Sequence, residues 1–89
     1  MTIALVYSVE GLASLYVNQS QPERAAHLFA WANAMRDQIG DHRPPIEQAS
    51  VEKDLAVIHS KVDDDEFTRL SAEGRTMSVE QAIARALEA

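Results

Sequence analysis

The apolar residues of this chain recur at intervals of three and four positions almost from end to end, and this spacing constrains the fold more than any other feature. Residues three or four apart share one face of an α-helix, whereas a half-buried strand needs strict alternation. No segment shows the alternating pattern. The sequence therefore predicts an all-α protein whose helices are separated by turns rich in proline, glycine and acidic residues.

Two long helices are predicted in the first half of the chain. The first runs from about Ile3 to Asn18 and is apolar on more than one side, which predicts an inner helix with neighbours on two sides. Pro22 suits the first position of a second helix and Gly40 suits its end, so the two helices should form an antiparallel hairpin. The residues expected to be buried in the second helix are Ala25, Leu28, Phe29, Ala32, Met35 and Ile39, with Trp31 packed beside them.

Three shorter helices are predicted after the linker that contains Pro44 and Pro45. The third begins at Pro45, the fourth at Asp63 or Asp64, and the fifth at a capping box formed by Ser78 and Gln81. Gly74 is expected to end the fourth helix in the left-handed conformation. The stripe expected to be buried in the third helix is Val51, Leu55, Ile58 and Val62. In the fifth helix it is Val79, Ala82, Ile83, Ala86 and Leu87.

Length and composition limit the classes of protein to which the chain can belong. Eighty-nine residues allow one small domain, and 46% hydrophobic residues are typical of a globular protein. The absence of cysteine excludes disulfides and zinc–thiolate sites and is consistent with a reducing compartment, so we expect a cytoplasmic protein. A net charge of −6 disfavours direct binding to nucleic acid or to an anionic membrane. The amino-terminal segment has neither a signal peptide's basic region nor the apolar length of a membrane span.

Six residues of the first hairpin form a recognisable pattern of residue types and spacings: Leu12, Ala13, Tyr16, Ala25, Phe29 and Ala32. In this pattern the hairpin resembles one tetratricopeptide repeat. Ser20 stands where that family usually has a turn glycine, and Asp37 stands where it often has a proline. A longer series of segments follows in order along the chain: Pro22-Glu-Arg-Ala-Ala26, Met35-Arg36, Ile39-Gly40, Pro44-Pro45, Phe67, Gly74-Arg75, Met77 to Ile83 and Ala86-Leu87. Through these segments nearly the whole chain is similar to the carboxy-terminal tail of large bacterial regulators, which join an NTPase module and such repeats to a LuxR-type or other output domain.

This resemblance implies a tetratricopeptide-like antiparallel array of about five helices. Residues 1–40 would form a degenerate repeat hairpin, and residues 44–89 would form helices that cap it on one side. The family's tail segments imply a regulatory, protein-binding role without catalysis, and no nucleotide-binding loop or output domain is present in these residues. No cofactor is expected.

A single repeat cannot bury both of its faces, so an open side is expected on the first helix. An excess of apolar side chains there predicts self-association, most simply as a homodimer. The residues expected to form this contact are Ile3, Leu5, Val6 and Val9.

A second binding surface is predicted on the same helix, where tetratricopeptide arrays line their concave groove. The matching positions are Tyr7, Glu10, Ser14, Val17 and Asn18. A groove of this kind binds a peptide or a helix of a partner protein. The competing interpretation is that this face is exposed to solvent or covered by the chain's own last helix.

Candidate catalytic and metal-binding residues are few and scattered. His27, His42 and His59 have no partner at the spacing of a helical metal site, and the acidic run 63–66 lacks the ligand pattern of a calcium loop. Glu10 lies in a mostly apolar helix, where burial would raise its pKa, although we expect it to face solvent. A hydrolase or lyase would require Glu10 to meet His27 or His59.

The sequence therefore favours a non-catalytic protein-interaction or regulatory module. The alternative is a domain that senses a small molecule bound between the first three helices, which a preformed apolar pocket would support. Direct DNA binding by the last two helices is disfavoured, because the segment from residue 63 to residue 89 holds seven acidic residues against three arginines.

Overall fold

The computed structural model describes residues 2–88 as five α-helices joined by short turns. They are α1 (Thr2–Asn18), α2 (Pro22–Ile39), α3 (Pro45–Lys61), α4 (Asp64–Arg75) and α5 (Val79–Leu87). No strand occurs in this part of the chain. The all-α class and the count of five helices predicted from the sequence are confirmed.

The helix ends follow the local chemistry of the sequence. Pro22 and Pro45 each lie in the first turn of their helices, where a missing backbone N–H costs nothing. The Asp63 carboxylate accepts a hydrogen bond from the backbone N–H of Glu66 at 2.7 Å and caps α4. Ser78 and Gln81 form the predicted capping box at the start of α5. These caps satisfy backbone donors that a helix cannot satisfy by itself.

Two residues with positive φ end the first two helices. Gly40 adopts φ 70° after α2, as predicted, and its backbone N–H donates to the Arg36 carbonyl. Ser20 adopts φ 57° in the turn between α1 and α2, at the position where the resembling family usually has glycine. A side chain in this conformation costs about 1 kcal/mol, so the turn holds strain that a glycine would not.

The core is built around α2, which packs against each of the other four helices. Trp31, Phe29 and Leu28 of this helix are almost fully buried, and Ile58 of α3 and Leu70 of α4 belong to the same core cluster. Trp31 is therefore a packing residue, as expected. The prediction that α1 has neighbours on more than one side is confirmed, since α2, α3 and α5 all contact it, although the most central helix is α2.

Helices α3 and α5 flank α1 on opposite sides. The Ser14 hydroxyl donates to the Asp54 carboxylate of α3 at 2.8 Å, and the Tyr16 hydroxyl donates to the Ala86 carbonyl of α5. Ser14 and Tyr16 are two residues apart, so their side chains point about 200° apart around α1, and α3 and α5 contact opposite sides of this helix. The expectation that the later helices cap only one side of the hairpin was therefore wrong.

Several predictions of buried residues were also wrong, and Met35 of α2 is only partly buried. In α5 only Ala82 and Ala86 are buried, whereas Val79, Ile83 and Leu87 are exposed, because the helix lies on the hairpin with its alanine face. Ile39 is exposed at the end of α2. Leu55 is only partly buried, while Val51, Ile58 and Val62 of the same stripe are buried as predicted.

Gly74 does not end α4 in the left-handed conformation. The helix continues to Arg75, and Gly74 is buried against α2 with negative φ. A Cβ atom at Gly74 would lie 2.4 Å from the His27 carbonyl oxygen and 2.8 Å from the Ala30 Cβ. Glycine is required here because the two helix backbones approach closely.

Candidate partner-binding groove

An open groove of about 500 Å³ runs between α1 and α3. Its apolar floor includes Val17, which is 6% exposed, and the partly buried Val57. The remaining lining is polar and consists of Ser14, Asn18, Ser20, Ser50, Lys53, Asp54 and Lys61. A surface of this composition can hold an apolar side chain of a partner segment and hydrogen-bond its backbone.

The structure divides the five residues predicted for partner binding into two groups. Ser14, Val17 and Asn18 line the groove. Tyr7 and Glu10 lie further toward the amino end of α1 and contact arginines instead. The three groove residues share one face of α1, and the parallel course of α3 beside them supplies the other wall.

Both lysines of the chain line the groove. Lys53 and Lys61 are eight residues apart, which places them about 12 Å apart along α3. Within residues 2–88, neither forms an ion pair. Asp54 lies between them and accepts the Ser14 hydroxyl, so its carboxylate already holds one wall of the groove to the other.

Glu10 is the centre of a buried charge cluster at the other end of α1. Its carboxylate accepts hydrogen bonds from Arg36 Nε at 2.9 Å and Arg36 Nη2 at 2.8 Å, and from Arg43 Nη2. Arg36 also donates to Asp41, and its guanidinium lies 4.9 Å from the centre of the Tyr7 ring. This cluster ties α1, α2 and the linker before α3 together.

The expectation that Glu10 faces solvent was wrong. The side chains of Glu10, Arg36 and Arg43 are 11%, 4% and 7% exposed. Burial opposes the ionisation of Glu10, but the hydrogen bonds and charges of Arg36 and Arg43 outweigh it and hold the pKa of Glu10 below its usual range. Glu10 in turn raises the pKa of Arg36. Both groups are therefore ionised at neutral pH.

The residues predicted for self-association lie mainly inside the domain. Val6 and Val9 are 0% and 2% exposed and belong to the core, whereas Ile3 and Leu5 are partly buried against it. The apolar side chains of α1 are buried within the domain because α2, α3 and α5 all contact this helix. Val6 and Val9 are therefore not available to a second copy of the folded chain.

A second polar network joins α2, α4 and α5. His27 Nε2 lies 2.8 Å from Glu73 Oε1 of α4, and His27 Nδ1 accepts a hydrogen bond from Arg85 Nε of α5 at 3.1 Å. Arg69 also binds Glu73, at 3.1 Å. The hydrogen bond from His27, together with Arg69, lowers the pKa of Glu73. Nothing in the spacing of these four residues along the sequence predicts that they meet.

The structure does not bring Glu10 together with His27 or His59, as a hydrolase or lyase would require. Glu10 bonds to Arg36 and Arg43 rather than to a histidine, and the His59 ring lies 4.0 Å from the Phe67 ring. In residues 2–88, no three metal-ligating side chains lie close enough to hold an ion. None of the described helices has the length and apolarity needed to cross a membrane.

A cavity of about 240 Å³ lies between α2, α3 and α4. Phe29, Leu55 and Phe67 form its apolar walls, and Asp37 and Arg75 are its charged residues. The alternative function, a domain that senses a small molecule, predicts a pocket between the first three helices. The cavity instead lies beside the alanines of α2 and involves α4, which contributes Phe67, Ser71 and Arg75.

Comparison with known proteins adds no relative. No family model, no curated protein and no solved structure matches this chain.

Proposed function

We propose that this domain is a non-catalytic protein-interaction module that binds a short segment of a partner protein in the α1–α3 groove. The observation that carries the proposal is the groove itself, where Ser14, Val17 and Asn18 line an open channel with an apolar floor. Its width is maintained by the hydrogen bond from Ser14 to Asp54. A preformed channel of this kind reduces the entropy lost when a partner binds.

The groove favours a segment with one apolar side chain and accessible backbone polar groups. Val17 and Val57 provide apolar surface for the side chain. Asn18, Ser20 and Ser50 provide hydroxyl and amide groups, and all three are exposed. The proposed module is regulatory and cytoplasmic, in line with the resemblance to tails of bacterial signalling and transcriptional regulators.

The non-catalytic part of the proposal is supported by how the candidate acid–base groups are occupied. Glu10 is ionised and its carboxylate accepts three hydrogen bonds from two buried arginines, so it is used within the fold. His27 uses both ring nitrogens within the fold. General acid–base catalysis needs such groups within hydrogen-bond reach of a substrate.

Peptides selected for binding to the domain from a random library should lose at least tenfold in affinity when Ser50 is replaced by glutamate. The larger, charged side chain would obstruct the groove that Ser50 lines. Fluorescence anisotropy of labelled peptides measures the affinity. The matched control is Ala49→Glu, because Ala49 is equally exposed, lies on the same helix and does not line the groove. Equal binding to both variants, or no selected peptide at all, would refute the groove.

We also propose that the domain forms a homodimer through the outer face of α1. Ala4, Tyr7, Ser8, Gly11 and Leu15 are exposed there, and none of them is charged. Tyr7 and Leu15 are each 45% exposed. An uncharged face lets two copies of a chain with net charge −6 approach without pairing like charges.

Leu15→Glu should weaken this dimer at least tenfold, because each copy would bring a carboxylate into an apolar contact. Light scattering after size exclusion, over a series of concentrations, measures the association. Ile46→Glu is the control, since Ile46 is 84% exposed and receives the same charge on a different helix, α3. A natural-sequence chain that stays monomeric at every concentration would rule the dimer out.

A further inference from the structure

His27 joins three helices through its two ring nitrogens. Nε2 faces Glu73 of α4, and Nδ1 accepts the Nε–H of Arg85 of α5. A neutral imidazole has one N–H donor and one acceptor nitrogen. Because Arg85 can only donate, Nδ1 must be the acceptor, and the ring proton lies on Nε2 and points to Glu73.

Protonation would change the two contacts in opposite directions. An imidazolium ring has two donors and no acceptor. Its Nε2–H would still donate to Glu73, now as part of an ion pair. Its Nδ1–H would meet the Arg85 guanidinium, so that two donors and two positive charges would lie about 3 Å apart.

The surrounding charges favour contact of the protonated His27 ring with α4 over contact with α5. Glu73 and Arg69 face it from α4, and Arg85 and Glu88 face it from α5. On α2 itself, Arg24 lies 3.8 Å from Glu88, and Glu23 is exposed one turn before His27. When Arg85 loses its hydrogen bond to His27, it keeps its 2.6 Å hydrogen bond to Glu88. Its positive charge therefore stays paired with a neighbouring carboxylate.

We propose that His27 is a proton-sensitive latch that holds both α4 and α5 when neutral and holds only α4 when protonated. This device is independent of the groove between α1 and α3. Helix α5 covers Tyr16, whose side chain it holds through the Ala86 carbonyl, and weaker docking of α5 exposes that ring.

Amide hydrogen exchange by NMR tests the latch, because it reports on each helix separately. On going from about pH 7.5 to about pH 5.5, a range that spans the ordinary imidazole transition, protection factors in α5 should fall at least tenfold. Those in α4 should stay constant or rise. Equal loss in both helices would indicate general destabilisation by acid, and unchanged protection in α5 would show that His27 does not control it. Either result overturns the proposal.

Two variants separate the latch from a merely structural histidine. His27→Asn keeps an acceptor near the Nδ1 position but cannot gain a proton, so α5 protection should no longer depend on pH. Arg85→Gln removes the positive charge that opposes the imidazolium, so it should reduce the tenfold change to less than twofold. A pH response as large as that of the natural sequence in both variants would refute the assignment to His27 and Arg85.

Discussion

Gly74→Ala should destabilise the domain by about 3 kcal/mol, which is at the upper end of the cost of inserting one methylene into a packed interior. The added Cβ would lie 2.4 Å from the His27 carbonyl oxygen, a backbone atom that cannot rotate away. It would also lie 2.8 Å from the Ala30 Cβ. Helix α4 would have to move off α2, with loss of the contacts that bury Leu70. Urea denaturation monitored through the fluorescence of Trp31 measures the change.

Gly11→Ala is the matched control for this substitution. Gly11 also lies inside a helix, but it is exposed, and apart from its chain neighbours and the backbone of its own helix no atom lies within 4 Å of the position of its Cβ. Alanine should therefore stabilise the domain by up to about 1 kcal/mol through helix propensity alone. The same substitution thus has opposite expected signs at two helical glycines. If both variants were stabilised, the close approach of α4 to α2 would be wrong.

Glu10→Ala should lower the free energy of unfolding by about 3 kcal/mol, because it leaves two buried guanidinium groups without their shared carboxylate. Arg36 would keep its hydrogen bond to Asp41 and its contact with the Tyr7 ring, and Arg43 would keep only a 3.3 Å contact with Gln48. Thermal and urea unfolding measure the loss. Asp41→Asn is the comparison, and it should cost less than about 1 kcal/mol because Asp41 is 39% exposed. Equal costs would contradict the placement of Glu10 at the centre of the cluster.

The same cluster predicts how stability depends on acid. The pKa of Glu10 is lower in the folded chain than in the unfolded chain, so the unfolded chain binds the proton more tightly. Its stabilising contribution is therefore fully present above the ordinary pKa of a glutamate and is lost as the pH falls through the lower, folded pKa. Glu10→Gln should make the unfolding free energy less dependent on pH in this acidic range. A pH dependence as steep as that of the natural sequence would contradict this assignment.

The helices could be predicted from the sequence because their determinants are local. Pro22, Asp63, Ser78 and Gly40 act within one turn of their own positions, so each end could be read without knowing the fold. Gly74 shows where local reasoning fails. A glycine near a predicted helix end has two physical uses, and only the position of α2 decides between left-handed backbone and close approach.

The surfaces were harder to predict than the helices. Helical spacing groups Tyr7, Glu10 and Ser14 on one stripe of α1. It does not show that Arg36 and Arg43 cover the amino end of that stripe, or that α3 lies beside its carboxy end. A lone carboxylate in an apolar helix was the available clue, since burial of such a group requires a cationic partner. The latch was invisible for a similar reason. Its residues are up to 58 positions apart in the sequence.

The bond from the Tyr16 hydroxyl to the Ala86 carbonyl joins residues 70 positions apart. In a repeat array each unit contacts only its neighbours, so such arrays can unravel from one end and tolerate the loss or gain of a unit. Here the first helix is held by the last one, and closing so long a loop is slow because its entropy must be lost before the contact forms. Residues 2–88 should therefore unfold in one cooperative transition, and duplication of the α1–α2 hairpin within this chain would break the domain instead of lengthening it.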